Sequence, residues 1–272
     1  MTENDKNARR PLDVVTGASS GIGAAWARKL ASEGHDLLLV ARREDRLRGL
    51  AAELEKRNGI RVDVLACDLS EPDQTSALCD RLRGETALRG LYHCAGFGVT
   101  GPVGEADPAR LEDMAQVHVN ATIALTSAVV PLLRKAGEGR VMVVSSVAGW
   151  LFGTGSATYC ATKAFETSYT RSLARELRGS GVRAMALCPG YTRTEFHDTP
   201  EYADWDRRTV PSPMWSTPDK VVRIAWNALE KGRDLCVPGL LNRLMVMSMS
   251  MGVLGLVRDK IRRRAPRHAS RG

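Results

Sequence analysis

Asp13-Val14-Val15-Thr16-Gly17-Ala18-Ser19-Ser20-Gly21-Ile22-Gly23 reads as a short buried strand running into a three-glycine turn, from which a helix starts near Ile22 and ends at Gly34. The first N–H groups of a helix have no partner inside it, so such an opening attracts phosphate. A second apolar run, Leu37-Leu38-Leu39-Val40-Ala41, follows, which makes the loop the joint of a strand–helix–strand unit rather than a linker. Working outward, strand-like runs at 13–17, 36–41, 61–67, 89–95, 140–146, 182–188 and 233–237 alternate with helical patterns. Strands covered on both faces read as continuous apolar runs, and alternation with helices argues for parallel pairing. The expectation is an α/β fold with one doubly wound parallel sheet of about seven strands and helices on both faces. A chain of 272 residues with 43% apolar content is long enough to bury one such core.

Ser146 closes the apolar run Val141-Met142-Val143-Val144, and Tyr159-Cys160-Ala161-Thr162-Lys163 follows thirteen residues later. Tyr159 and Lys163 are four apart among helix-compatible residues and so share a helix face. A cation beside a phenol favours its ionised form. Free tyrosine has a pKa of about 10, so acid–base work near neutrality needs a shift of about three units, roughly 4 kcal/mol. A hydroxyl at a strand's carboxyl end lies where doubly wound sheets bind ligands. With the Gly-x-x-x-Gly-x-Gly loop, these residues resemble the short-chain dehydrogenase/reductase family over roughly residues 12–237.

That resemblance implies a single-domain sheet of the Rossmann type and hydride transfer between a nicotinamide and a carbonyl or alcohol. It makes Tyr159 the general acid/base. Lys163 lowers its pKa and holds the cofactor ribose, and Ser146 polarises the carbonyl. The fourth member is an asparagine in a long helix, here spanning Leu111 to Leu133, that kinks the helix and holds a water relay to Lys163. Val117-His118-Val119-Asn120-Ala121 matches the pattern and nominates Asn120; His118 reads as structural or surface.

The cofactor residues implied by the resemblance begin with Gly17, Ser19, Ser20, Gly21, Ile22 and Gly23. At the end of the second strand, where an NAD-preferring member usually has an aspartate, this chain has Ala41 and then Arg42-Arg43. Removing the acid removes repulsion of a 2′-phosphate, and a guanidinium pairs with it through charge-assisted bonds worth about 1.5–3 kcal/mol. NADP(H) is therefore expected, with Arg42 the stronger partner, Arg43 beside it and Ser20 a helper. Asp68 and Leu69 match the pair that meets adenine, and Asp68 equally suits the cap of a helix starting near Glu71. His93-Cys94-Ala95-Gly96 stands where the family usually has Asn-Asn-Ala-Gly, so Ala95 and Gly96 keep the backbone approach to the ribose while Cys94 departs from the pattern. Pro189, Gly190, Thr192 and Thr194 match Pro-Gly-x-x-x-Thr, which holds the carboxamide. Tyr159 and Lys163 also touch cofactor in the family.

The six cysteines, 67, 79, 94, 160, 188 and 236, form no Cys-x-x-Cys pair and read as reduced thiols of a cytosolic protein, with no metal site expected. Residues 1–11 read as a polar tail, 12–238 as the catalytic domain and 239–272 as an extension. The proline- and aromatic-rich stretch 191–217 matches the family's substrate loop. Trp150, Leu151 and Phe152 are expected to line the same apolar pocket, which suits a hydrophobic, long-chain acyl ketone or aldehyde and a role in lipid metabolism. The Arg42-Arg43-Glu44-Asp45 segment, the Tyr159–Phe165 run and Val237-Pro238-Gly239-Leu240 also resemble actinobacterial reductases of the mycolate-reductase kind.

From Leu240 to Val257 the chain is apolar and methionine-rich, and seven basic residues with one acid follow, so six of the eight formal positive charges lie at the carboxyl end. Basicity this local argues against a nucleic-acid face. The segment reads as a lid or dimer-contact helix pair, as a peripheral anchor at the inner face of a membrane, or as a span. The resemblance implies a homodimer or homotetramer through the helices carrying Asn120 and Tyr159. A non-catalytic NADP(H) sensor is the rival to an enzyme.

Overall fold

The computed structural model describes residues 10–203 and 205–250. Seven strands, β1 (Leu12–Thr16), β2 (Asp36–Ala41), β3 (Val62–Ala66), β4 (Leu88–His93), β5 (Gly139–Val144), β6 (Val182–Leu187) and β7 (Leu235–Cys236), form one sheet in the order β3-β2-β1-β4-β5-β6-β7. Every pairing is parallel. The chain winds outward from β1 in one direction and from β4 in the other, so the crevice at their carboxyl ends is the switch point where such sheets bind ligands.

Alternate strand residues feed two cores. Val15, Leu37, Leu39, Met142 and Leu187 pack under α1 (Gly21–Ser32), α2 (Glu44–Asn58) and α7 (Pro218–Glu230). Val14, Leu38, Val40, Val141 and Val143 pack on the opposite face under α3 (Pro72–Arg83), α5 (Ala121–Ala136) and α6 (Ala157–Glu176). Covering both faces is what removes polar alternation from the strand sequences.

The helix expected over Leu111 to Leu133 spans more and is not uniform. It consists of α4 (Pro108–Ala115), a π turn over Gln116–Asn120 and α5. Pro108–Ala136 is long and apolar enough by composition to cross a membrane, but half of its most apolar window is buried in the protein, as expected for a helix packed on a sheet. Asp68 does not cap α3: the capping position is Glu71, and Asp68 Oδ1 accepts instead from Ser70 N (3.0 Å) and Oγ (2.7 Å). All six cysteines are free, and five are buried.

The described residues between 191 and 217 form a chain of one-turn 3-10 helices closed at the base by a bridge between Thr192 and Ser216. Beyond β7, α8 (Leu240–Ser250) turns Val246 into a small cluster with Val147, Ala186, Cys188 and Val237. It leaves Leu240, Leu241, Leu244 and Met247 between 52% and 70% exposed. Residues 1–9 of the polar tail and the stretch from Met251, with its basic run, lie outside the described residues.

Candidate active site

Gly17 lies at φ +65°, and a Cβ there would sit 2.7 Å from Ala95 N; one on Gly23 would sit 2.2 Å from Gly17 O. Side chains at either position would push the loop off β4 and off α1. Ser20, at the amino end of α1, makes no side-chain cap, and the first turn contains no acid. The first N–H groups of the helix therefore have no side-chain cap, an arrangement that suits the pyrophosphate of a dinucleotide.

The His93-Cys94 departure has a structural account. Thr16 Oγ1 accepts from Cys94 N (3.1 Å) and Ala95 N (3.2 Å), which leaves its proton for His93 Nδ1 at 2.8 Å. His93 Nε2 then donates to Val117 O at 3.4 Å. The histidine thus ties β1, β4 and the π turn together, as a neutral ring whose pKa burial and Lys163 lower to about 4.

At the end of β2 the two arginines divide. Arg43 Nη2 donates to Ser19 Oγ (3.0 Å) and Ser20 Oγ (2.9 Å), its Nε to Ser19 Oγ (3.2 Å), and its Nη1 to Glu195 Oε2 (2.8 Å). Arg42 stands 63% exposed, 3.8 Å from Asp68 Oδ2. Arg43, not the expected Arg42, lies over the glycine-loop hydroxyls. A cavity of about 1080 Å³ opens beside the loop, lined by Ser19, Ser20, Gly21, Arg46, Arg193 and Thr194 among others. Its walls contain none of Ser146, Tyr159 or Lys163, so it adjoins the phosphate end of the cleft rather than the reacting end.

Ser146 follows β5 by two residues and heads a 3-10 turn, its Oγ accepting from Ala148 N at 3.1 Å. It also hydrogen-bonds Tyr159, which lowers the phenol's pKa; burial, Tyr202 and Glu166 act oppositely, and the net direction is well upward. Lys163 Nζ lies 5.8 Å from the Tyr159 ring centre, donates to Val144 O (3.2 Å) and is 4% exposed. Ser145 Oγ donates to Lys163 O (2.6 Å) and straps α6 to β5. Ser146, Tyr159 and Lys163 are thus brought together at the carboxyl end of β5.

Asn120 is not among them. It is exposed, its amide donating to Gln116 Oε1 at 2.7 Å. His118, two residues earlier, faces inward from the π turn: a Cβ on Gly96 would lie 2.8 Å from His118 Nε2 and 3.4 Å from Lys163 Nζ. His118 Nδ1 donates to Thr162 Oγ1 (2.9 Å), which donates to Tyr159 O (2.9 Å), and Nε2 accepts from Phe97 N (3.3 Å). With both nitrogens committed and the ring buried beside Lys163, it is held neutral well below its usual pKa. The buried stripe Met114, Ala121, Leu125, Ala128 passes through position 118 and not 120.

Over the phenol lies the 191–217 segment. Phe196 packs on Tyr159 (5.9 Å between ring centres) and Tyr202 on Phe196 (5.6 Å), while His197 stacks on Trp205 (4.4 Å). Arg110 pairs with Glu201 at 2.9 Å, and Thr100 Oγ1 donates to Glu201 O, which ties the lid to α4 and to the loop after β4. Phe152 is 86% exposed, so it does not line a buried pocket, and Trp150 packs with the Val246 cluster. Thr194 Oγ1 accepts from Phe196 N (3.2 Å), and its methyl group meets Gly21; Thr192 Oγ1 donates to Gly190 O (3.0 Å), and Asn242 of α8 abuts Gly190. Pro189, Gly190, Thr192 and Thr194 therefore stand between the glycine loop, the lid and α8. Asp68 and Leu69 follow β3, with Asp68 Oδ2 3.8 Å from Arg42.

A family model described as short chain dehydrogenase matches residues 13–203. The chain is 36% identical to sulfoacetaldehyde reductase 2 of Chromohalobacter salexigens over 67% of its own length and 73% of that protein's. A short-chain dehydrogenase from Sphingobium yanoikuyae solved in complex with NADPH superposes with a TM-score of 0.80 at 31% identity, covering 96% of this chain and 99% of that one. The bulky-bulky ketone specific alcohol dehydrogenase of Comamonas testosteroni does so with a TM-score of 0.77 at 25% identity, covering 97% and 98%.

Proposed function

The chain belongs to the short-chain dehydrogenase/reductase family and is an oxidoreductase of carbonyl and alcohol groups with a nicotinamide cofactor; from that premise we propose that it uses NADP(H) on a hydrophobic, long-chain acyl ketone or aldehyde. The observation that carries the chemistry is the convergence of Ser146, Tyr159 and Lys163 at the end of β5. Ser146 holds the substrate oxygen, Tyr159 gives it a proton in reduction and takes one in oxidation, and Lys163 supplies positive charge behind the phenol. Gly17–Gly23, Ala95, Gly96 and Thr194 would hold a nicotinamide dinucleotide, which would supply or accept the hydride.

Support for NADP(H) is the missing acid at Ala41 and the Arg43 guanidinium over the Ser19 and Ser20 hydroxyls, a pocket for a 2′-phosphate; the Sphingobium relative was solved with NADPH. Support for a hydrophobic substrate is the Phe196–Tyr202 lid over the phenol, together with the bulky ketones named for the Comamonas enzyme. The unit 12–238 holds these parts, with 191–217 as substrate loop and 239–272 as an extension. The exposed apolar row of α8 suits a second subunit or a peripheral membrane contact, and a homodimer or homotetramer is the assembly we favour.

Tyr159→Phe should abolish turnover of a ketone and aldehyde panel while NADPH binding stays within about twofold, since the ring packing is kept. Unchanged activity would refute the proton path.

A further inference from the structure

Tyr159, Lys163 and Glu166 fall on one stripe of α6. Glu166 is fully buried, and its Oε2 lies 2.8 Å from Lys163 Nζ. Apart from this ion pair, neither of its carboxylate oxygens finds a partner among the described residues. A buried carboxylate with a single counter-charge is costly to keep, so its presence beside the lysine of the site asks for a role, and the proton path above gives it none.

The groups around it come from several elements. Tyr159 and Lys163 share its helix, His118 faces Lys163 from the π turn, His93 from the end of β4, and Cys188 lies at the end of β6. Both histidines are held neutral, and burial keeps the Cys188 thiol protonated. Of these groups only Lys163 and Glu166 form an ion pair with each other. A lysine whose charge is matched at 2.8 Å stabilises a phenolate less than an unmatched one. Burial raises the Glu166 carboxyl to about 7 even though Lys163 acts to lower it, so the match forms within the neutral range.

We propose that Glu166 is a positioning residue for the proton exchange: it anchors Lys163 Nζ, offsets its charge, and so sets the pH at which Tyr159 can take a proton from substrate. This rests on Tyr159 being the acid/base. Alcohol oxidation requires the phenolate, so kcat/KM rises with pH. The full-length enzyme, assayed with NADP⁺ and an oxidisable long-chain secondary alcohol, should show a rising limb set by ionisation of the phenol. Glu166→Gln keeps the shape and removes the charge; its limb should move down by about one pH unit, with the KM for NADP⁺ within about twofold. Glu166→Asp, which keeps the charge, should hold the limb near its original place, and melting curves check that each variant folds. A Glu166→Gln limb coincident with the wild type, with Tyr159→Phe inactive, overturns the proposal alone. Turnover by Tyr159→Phe would overturn the acid/base reading and this proposal together.

Discussion

Truncating Arg43 to alanine should separate the two nicotinamide cofactors. In the protein its guanidinium is shared between Ser19, Ser20 and Glu195. A 2′-phosphate arriving there gains charge-assisted hydrogen bonds worth about 1.5–3 kcal/mol. It also breaks the Arg43–Glu195 pair, which at 41% and 46% exposure is worth only about 0.2–1 kcal/mol, and it meets the carboxylate left behind. The net is about 1–2 kcal/mol, or roughly five- to thirtyfold in Kd. Arg43→Ala should weaken NADPH by that factor and leave NADH within about twofold. Glu195→Gln should act in the opposite sense, tightening NADPH a few fold, because Arg46, bonded to the other Glu195 oxygen, is freed as well. Cofactor-fluorescence titration of the free enzyme at two ionic strengths measures both, and the Arg43 effect should shrink at high salt. Equal losses of NADPH and NADH would show that Arg43 holds a part common to both, and the 2′-phosphate assignment would fail.

Acid stability offers a second test. The His93 pKa is about 4 in the folded protein against about 6.5 unfolded, so between those values the unfolded chain binds more protons and stability is lost as pH falls. At pH 5 the loss amounts to about 2 kcal/mol. His118 works in the same direction, whereas the raised carboxyl of Glu166 works oppositely, losing stability as pH rises toward and through 7. The measurement is therefore the difference in melting temperature between pH 7.5 and 5.0 for His93→Asn against the wild type; an identical difference in both would count against a neutral buried His93. On α8, Leu241→Ser with Leu244→Ser alters side chains that are 57% and 52% exposed and should leave the melting temperature within a degree or two. If that face meets a second subunit or a lipid surface, the same variant should dissociate by light scattering or stop floating with anionic vesicles. No change in either assay would leave the face without a partner.

The comparison of sequence with structure turns on which inferences stay inside one element. Strands buried on both faces announce themselves as apolar runs, and all seven appeared within about two residues of where the runs lie. The four-residue step from Tyr159 to Lys163, and the seven-residue step to Glu166, are likewise local properties of a helix. Asn120 and His118 show where that stops. Two positions on a helix differ by about 200°, so only one can face α6, and the choice depends on how the π turn sets the phase of the helix against its neighbour. Arg42 and Arg43 diverge for a similar reason, because the turn into α2 sends adjacent side chains to Asp68 and to Ser20.

By itself, then, the sequence determined the layered sheet, the glycine-rich opening of α1, the serine just past β5 and the one-turn spacing of the tyrosine and lysine, because period and spacing encode them directly. Tertiary structure alone decided that a neutral histidine stands where an asparagine was expected, that Arg43 and Glu195 meet across 152 residues, and that a buried carboxylate shadows Lys163. Those are contacts between elements or choices of buried partner, and they depend on desolvation and packing that no local pattern records.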